Sequence, residues 1–435
     1  MQTMKTNFRV FLIFGVIFAG ISFFSSCRDK VFEEISYEAN VPVYMDFATF
    51  RAAVKREVPR ELSQPGKIYY YNNTLFVNEM QQGVHVIDNS NPSSPVNLAF
   101  IEIPGNIDIA IRGNILYADS YIDLVAIDIT NPLQPVEVSR IEGAFPKVLP
   151  AMEAAYPVYG LDFSKGIVVG WEKRVVTETI EKDSFSRRNQ ICYDFVGAPS
   201  LGSSEVGLVG RANGTAGSMA RFTLIGNYLY AAHNTALKVF DLTSAPEMSL
   251  GGEVQLERVA ETIYPFEGRL FLGTTTGMLV YNLENPIIPK FVSVFEHITS
   301  CDPVVVSGQY AYVTLRSGNN CNNMVNQLDV VDISSVEHPF LMKSYPFFNP
   351  HGLGVDGPLL FVCDGDAGLK IFDKTDPMTI HLHQLAHFDG INSYDVIPHN
   401  GVLMMIGSNG LYQYDYTDVT DLKLLSKIPV VKPHP

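Results

Sequence analysis

Through most of the chain, short apolar runs end in an aspartate and a proline-punctuated turn. Leu124–Ile127 is followed by Asp128 and the turn closes at Pro135; the same order recurs around Asp88, Asp241, Asn282, Asp332, Asp373 and Asp415. These landmarks fall 40–42 residues apart, except for 113 residues between Asp128 and Asp241 and 50 between Asn282 and Asp332. Around Asp128 the pattern predicts strands at Ile107–Ile111, Ile115–Ala118, Leu124–Ile127 and Val136–Ile141, the first two joined by a tight turn at Arg112-Gly113-Asn114. The third strand is apolar at successive positions, as expected when both faces of its sheet are covered. Asp, Ser and Thr side chains that fold back on their own backbone, with proline fixing φ, account for the recurrent turn.

Four strands in about 40 residues, repeated along the chain, predict an all-β protein, a β-propeller of four-stranded blades. An elongated β-solenoid fits less well, because it uses shorter repeats and needs polar end caps. Seven landmarks plus a degenerate unit, Tyr156–Lys182 with its core Gly166–Trp171, predict eight blades; seven is the alternative. The long interval also leaves an insertion at about 183–217, a lid or partner loop by its length and its run into the next inner strand at Met219. The propeller is expected over 67–431. Residues 27–66 form a tether and clasp, with Val41–Tyr44 as an extra outer strand and a helix Phe47–Arg56 capped by Asp46, stopped by Pro59 and Pro65.

The runs Val84-His85-Val86-Ile87-Asp88, Leu124-Val125-Ala126-Ile127-Asp128, Leu328-Asp329-Val330-Val331-Asp332 and Leu369-Lys370-Ile371-Phe372-Asp373 resemble the LVIVD-repeat family of bacteria and archaea. The resemblance implies a propeller-like, often envelope-associated protein with no common catalytic set. Asn282 stands at the landmark in one unit, which ties that position to the turn and not to chemistry.

The amino terminus changes the expected address. Lys5 and Arg9 precede an apolar run, Val10–Phe24, about 15 residues long against the roughly 20 needed to span a bilayer, so residues 1–26 read as a signal peptide. Ser25-Ser26-Cys27 resembles a bacterial lipobox, with Phe24 where leucine is usual, and implies lipidation at Cys27. Asp29, Glu33 and Glu34 then resemble a surface-export signal or form an ordinary solvated tether. The expectation is a bacterial cell-envelope protein, lipid-anchored in the outer membrane with the exposed side open. A net charge of −15 argues against nucleic acid as a partner.

Candidate chemistry is sparse. No G-x-S-x-G, H-E-x-x-H, P-loop or Rossmann fingerprint occurs, and no motif requires a cofactor. In propellers the entrances to the inner strands and the loops between second and third strands open on one face. The entrances carry Asp108, Arg221, Glu261, Asp302, His351 and Asp395; the loops add Asp119, His233, Arg316, Asp364 and Asp366. They form either a ligand or metal site or simply a wet channel mouth. Cys301 and Cys321 open on the same face and are the candidate disulfide, worth roughly 3 kcal/mol by chain entropy. Cys363 competes as partner, a metal site joining these cysteines to His351 matches no zinc spacing, and Cys192 has no evident partner. His381, His383 and His387 read as polar positions on an outer strand, and Trp171 as packing between blades, with Glu172 beside it a faint glycan signal.

The function expected from these readings is a binding or assembly platform for protein or glycan partners. The alternative is a propeller enzyme of hydrolase, lyase or lactonase type with a metal or ligand at the channel mouth; a quinone-dependent dehydrogenase fits poorly with a single tryptophan.

Overall fold

The computed structural model describes residues 32–146, 149–150, 152–181, 215–296, 303–317 and 325–431. The chain divides into two compact units, one built from residues 1–42, 152–161 and 171–195, the other from 43–151, 162–170 and 196–435. No helix among the described residues is long and apolar enough to cross a membrane.

A two-stranded sheet joins Phe32–Met45 and Ile167–Glu181, of which residues 32–42 and 171–181 belong to the smaller unit. Tyr37 donates to Glu178 Oε2 at 2.6 Å, and the Asn40 amide donates to the carbonyls of Glu153 and Tyr156 at 2.9 and 2.8 Å. The expected degenerate blade therefore does not exist: Ile167–Glu181 is one long strand. Beyond Trp171 it reads Glu-Lys-Arg-Val-Val-Thr-Glu-Thr, mostly exposed, without the apolar run and Asp-x-Thr turn that fold a blade back on itself. Trp171 lies on this ribbon rather than in a blade strand, and Glu172 pairs with Arg174.

The larger unit is the propeller. Its strands form six sheets, not eight. The first contains Pro65–Tyr71, Thr74–Glu79, Gly83–Asp88 and Val96–Glu102; the second contains Ile109–Arg112, Ile115–Ser120, Asp123–Asp128 and Val136–Ile141. The third has six strands, Phe222–Ile225, Tyr228–Asp241, Ser249–Phe266, Arg269–Thr274, Gly277–Asn282 and Lys290–Glu296, and carries two repeats. Tyr228–Asp241 doubles back at Asn234, where φ is 51°, and Ser249–Phe266 ends one repeat and begins the next. Leu242 N donates to the Asn227 carbonyl at 2.8 Å across that hairpin, as Ile129 N does to Asn114 at 2.8 Å in the second sheet. Three ordinary four-stranded sheets follow, with inner strands Val304–Ser307, Leu353–Asp356 and Ser393–His399.

The third strands Gly83–Asp88, Asp123–Asp128, Gly277–Asn282 and Gly410–Asp415 are buried up to their last residue, in keeping with their largely apolar runs. The ring closes by packing Ile68, Leu75, Val77 and Ile87 of the first sheet, with Leu62 just before it, against Ile397, Met404, Ile406 and Leu411 of the last. Each such side chain withdrawn from water contributes about 1.5–3 kcal/mol. Gln413 Nε2 donates to Asn89 Oδ1 at 2.6 Å across the same seam, and Ser426 Oγ to the Pro92 carbonyl at 2.6 Å.

The clasp departs from expectation. Asp46 caps a helix through the backbone N–H groups of Ala48 and Thr49, but the helix stops at Arg51. Lys55–Glu57 instead pairs antiparallel with Phe100–Glu102, and Lys55 Nζ reaches Glu102 at 2.9 Å. The extra outer strand is thus Lys55–Glu57 rather than Val41–Tyr44, which belongs to the strand Phe32–Met45 of the two-stranded sheet.

Candidate functional site

The landmark acids serve turns. Asp88, Asp128, Asp241, Asn282, Asp332, Asp373 and Asp415 each accept the backbone N–H two residues on, at 2.7–2.9 Å. An amide does this as well as a carboxylate, which explains Asn282.

At the centre of the ring runs the segment 215–220, the end of the predicted insertion. Thr215 and Ala216 pair with Tyr70 and Tyr69 on the inner edge of the first sheet, and Gly217 N donates to the Ile68 carbonyl at 2.9 Å. Ser218 N donates to Asp395 Oδ1 at 2.7 Å, while Ser218 Oγ accepts from Leu353 N at 2.6 Å. The Ala220 carbonyl then accepts Ile263 N at 3.0 Å. Four inner strands are therefore tied to one segment, whose residues 217–220 are buried. Gly217 is required there: a Cβ would lie 2.7 Å from Asp395 Cγ. The rest of the insertion lies outside the described residues, so its expected role as a lid rests on the sequence alone.

The candidate mouth residues divide by what they hold. Asp395 is fully buried, receives Ser218 N and Val396 N on Oδ1, and leaves Oδ2 without a hydrogen bond. Burial pushes its pKa up to about 7 against the pull of those donors. Asp364 Oδ1 accepts Phe348 N and Asn349 N at 3.0 and 2.8 Å, and Oδ2 pairs with Lys370 at 2.6 Å. Asp119 Oδ1 accepts Asn106 Nδ2, Ile107 N and Asp108 N at 2.8–2.9 Å, and burial raises its pKa to about 6. Asp119 and Asp364, at or near the end of a second strand, thus brace the backbone entering the first strand, whereas Asp395 lies on a first strand and holds Ser218. Glu79 braces Ser63 and Gln64 in the same way as Asp119 and Asp364.

His351 is buried with Arg316 Nη1 3.2 Å from its Nδ1 and Asn349 Nδ2 3.2 Å from its Nε2, and its ring lies 5.3 Å from that of Tyr394. Burial, then the Arg316 charge, lowers its pKa to about 3, so the ring is neutral. Glu261 is buried and its charge acts on Arg316. Asp366 pairs with Asn392. Asp302 lies outside the described residues, as do Cys27, Cys192, Cys301 and Cys321, and with the last two the candidate disulfide; Cys363 is buried at the end of its strand.

The structure brings together Lys67, Asp108, Arg221 and His233. Asp108 Oδ2 accepts both Lys67 Nζ and Arg221 N. His233 stacks on Phe145 at 5.8 Å, and burial followed by the Arg221 charge lowers its pKa to about 4. Lys67 was not among the expected site residues, although it precedes Ile68 as Asp108 precedes Ile109 and Arg221 precedes Phe222. Register alone identifies it. Ser218 carries no such signal. The histidine cluster is also rearranged: His381 sits in a 3-10 turn, Ile380–Leu382, against Tyr345, and only His387 is on a strand, bonded to the Ala367 carbonyl at 2.6 Å. Among the described residues no group of three or more His, Cys, Asp or Glu is placed to hold a metal ion.

Residues 68–100, 106–142 and 300–346 match the family model of the LVIVD repeat. The chain carries LVIVD repeats. The first two matches cover most of the first and second sheets, and the third covers the sheet that begins at Val304. No curated protein matches the chain. Among solved structures, a protein from Lactobacillus plantarum is 12% identical, with a TM-score of 0.51 over 85% of this chain and 97% of that one, a likeness of fold. The computationally designed Ika8 protein is 10% identical, with a TM-score of 0.49 over 87% and 92%. PorZ, a surface component of the type-IX secretion system of Porphyromonas gingivalis, is 11% identical with a TM-score of 0.47; 87% of this LVIVD-repeat chain aligns to 40% of it.

Proposed function

We propose that this LVIVD-repeat propeller is a cell-envelope binding platform, tethered by lipid on Cys27, that holds protein partners on the rim formed by the starts of its outermost strands. One observation carries this reading. Within the first two residues of the outermost strand, repeat after repeat leaves a large apolar side chain in solvent: Val96, Val136, Leu250, Phe291, Phe340, Leu341 and Leu424 are 46–57% exposed. An outer strand is ordinarily protected by charge or proline at such positions. Recurrent exposed aliphatic and aromatic residues instead suit the core of a protein interface. Ser293 Oγ donates to the Val336 carbonyl of the next sheet, and the rim is richest there, with Phe291 on one sheet and Phe340 and Leu341 on its neighbour. The enzyme alternative is weaker because two acids of the mouth, Asp119 and Asp364, are committed to backbone donors.

The test is site-specific photo-crosslinking in the native envelope, with the probe at Phe340 and, as control, at Phe348, which is 61% exposed beside the mouth residue Asp364. Protein adducts from position 340 and none from 348 are expected. Absence of adducts at both Phe340 and Phe291 overturns the rim as the docking surface. Cys27→Ser is expected to release the protein from the membrane fraction, and retention there refutes the lipid tether.

A further inference from the structure

The Arg221 guanidinium makes no hydrogen bond and no ion pair with any described residue, although its Nε is buried. Three other arginines, Arg60, Arg112 and Arg269, also have one buried nitrogen without a partner, but each has another nitrogen engaged. Only the backbone of Arg221 is satisfied, its N–H by Asp108 Oδ2 and its carbonyl by Ala232 N at 2.8 Å. A half-buried guanidinium without any protein acceptor gains from a bound one, and its Nη atoms, which are not among the buried unpaired atoms, are where such an acceptor fits. The surrounding groups are already spoken for: Asp108 Oδ2 is held by Lys67, and Asp119 Oδ1 by three donors. His233 completes the wall, stacked on Phe145, with its Nδ1 buried and unbonded. Burial lowers the pKa of both Lys67 and His233 and the Arg221 charge lowers them further, which puts the three groups within electrostatic reach.

We propose that Arg221, with His233 beside it, forms a binding site at the propeller mouth for a small ligand bearing a carboxylate. The Nη1 and Nη2 atoms, which have no partner among the described residues and are not among the buried unpaired atoms, present an end-on fork that two oxygens of a carboxylate match in one plane. A single unpaired cation compensates one negative charge, and Asp108 Oδ2 alongside repels a second, so a monoanion is favoured over a phosphate dianion. The ligand is small because Gly217–Ala220, immediately before Arg221, are buried and fill the centre of the ring beneath it. This site stands apart from the apolar rim, and the two readings fail independently.

Full-length protein in detergent is titrated calorimetrically with benzoate, galacturonate and inorganic phosphate at constant ionic strength. At least one carboxylate is expected to saturate, with phosphate about tenfold weaker or absent. Arg221→Gln and Arg221→Lys are each expected to weaken carboxylate binding about tenfold or more, the lysine because it keeps the charge but loses the fork. Arg269→Gln leaves binding unchanged. Melting curves establish that the variants are folded, and either Arg221 variant suffices. No saturation by either carboxylate to about 10 mM overturns the proposal. Undiminished binding in a folded Arg221 variant, or phosphate binding more tightly than both carboxylates, overturns it equally.

Discussion

Replacing Glu79 by glutamine tests whether the buried acids of the mouth side are structural braces. Glu79 is 1% exposed at the end of Thr74–Glu79. It accepts Ser63 Oγ at 2.5 Å, Ser63 N at 3.2 Å and Gln64 N, and lies 3.0 Å from His85 Nε2. Burial alone would raise its pKa; the bonds from His85, Ser63 and Gln64 outweigh burial and bring it from 4.5 to about 2. At about 1.4 kcal/mol per pKa step, that difference makes the ionised form worth roughly 3 kcal/mol to the fold. Because the folded pKa is the lower one, this stability is fully present above about pH 4.5 and is lost as pH falls towards 2. Glutamine keeps the shape, removes the charge and turns an NH2 towards the donors. With roughly 2 cal/mol/K of unfolding entropy per residue over about 370 residues, 3 kcal/mol lowers Tm by about 4 °C. Differential scanning fluorimetry of both proteins between pH 7 and pH 3 measures the gap. A gap of about 4 °C at pH 7 that narrows below pH 4.5 is expected. No gap at pH 7, or one of constant size down to pH 3, refutes the reasoning.

Gly217→Ala forces a methyl group against the Asp395 carboxylate; overpacking of this kind costs about 1–3 kcal/mol, and hydrogen exchange at the amides of Ser218 and Val396 is expected to accelerate. Unchanged exchange with unchanged Tm would show that the centre of the ring has slack the structure does not display. Asp128→Ala, in contrast, removes one exposed turn bond to Thr130 N and is expected to lower Tm by about 1 °C or less while leaving partner crosslinking at Phe340 intact. Loss of crosslinking in that variant would give the landmark aspartate a role beyond its turn.

The blade pattern was readable because both of its determinants are local. Apolar runs buried on two faces and Asx turns that close on their own backbone need no distant partner, so the third strands and the turns at Asp88 through Asp415 stand where the pattern puts them. The unit count was misread where the argument left local chemistry: Tyr156–Lys182 has the right length for a blade but not the turn that folds one. The mouth was harder still. Asp108, Arg221, His351 and Asp395 were found by register, yet their roles depend on partners such as Ser218, Asn106 and Asn349, whose nearness is a product of ring closure. Lys67 was recoverable by extending the register one repeat towards the amino terminus. The pairing of Gly217 with Asp395 was not, because nothing local marks a glycine that must leave room for a side chain 178 positions later.

The segment 215–220 also sets an order in time. Its anchors at Leu353 and Asp395 lie 135 and 177 residues beyond Ser218. During synthesis from the amino terminus, Ser218 emerges long before either partner exists. The hub of the ring therefore waits, unsatisfied, until the last repeat has been made. If the chain crosses a membrane unfolded, as the lipid tether proposed above requires, that delay is useful: the first five repeats can be handed to an export machinery before the chain possesses what it needs to lock its own centre.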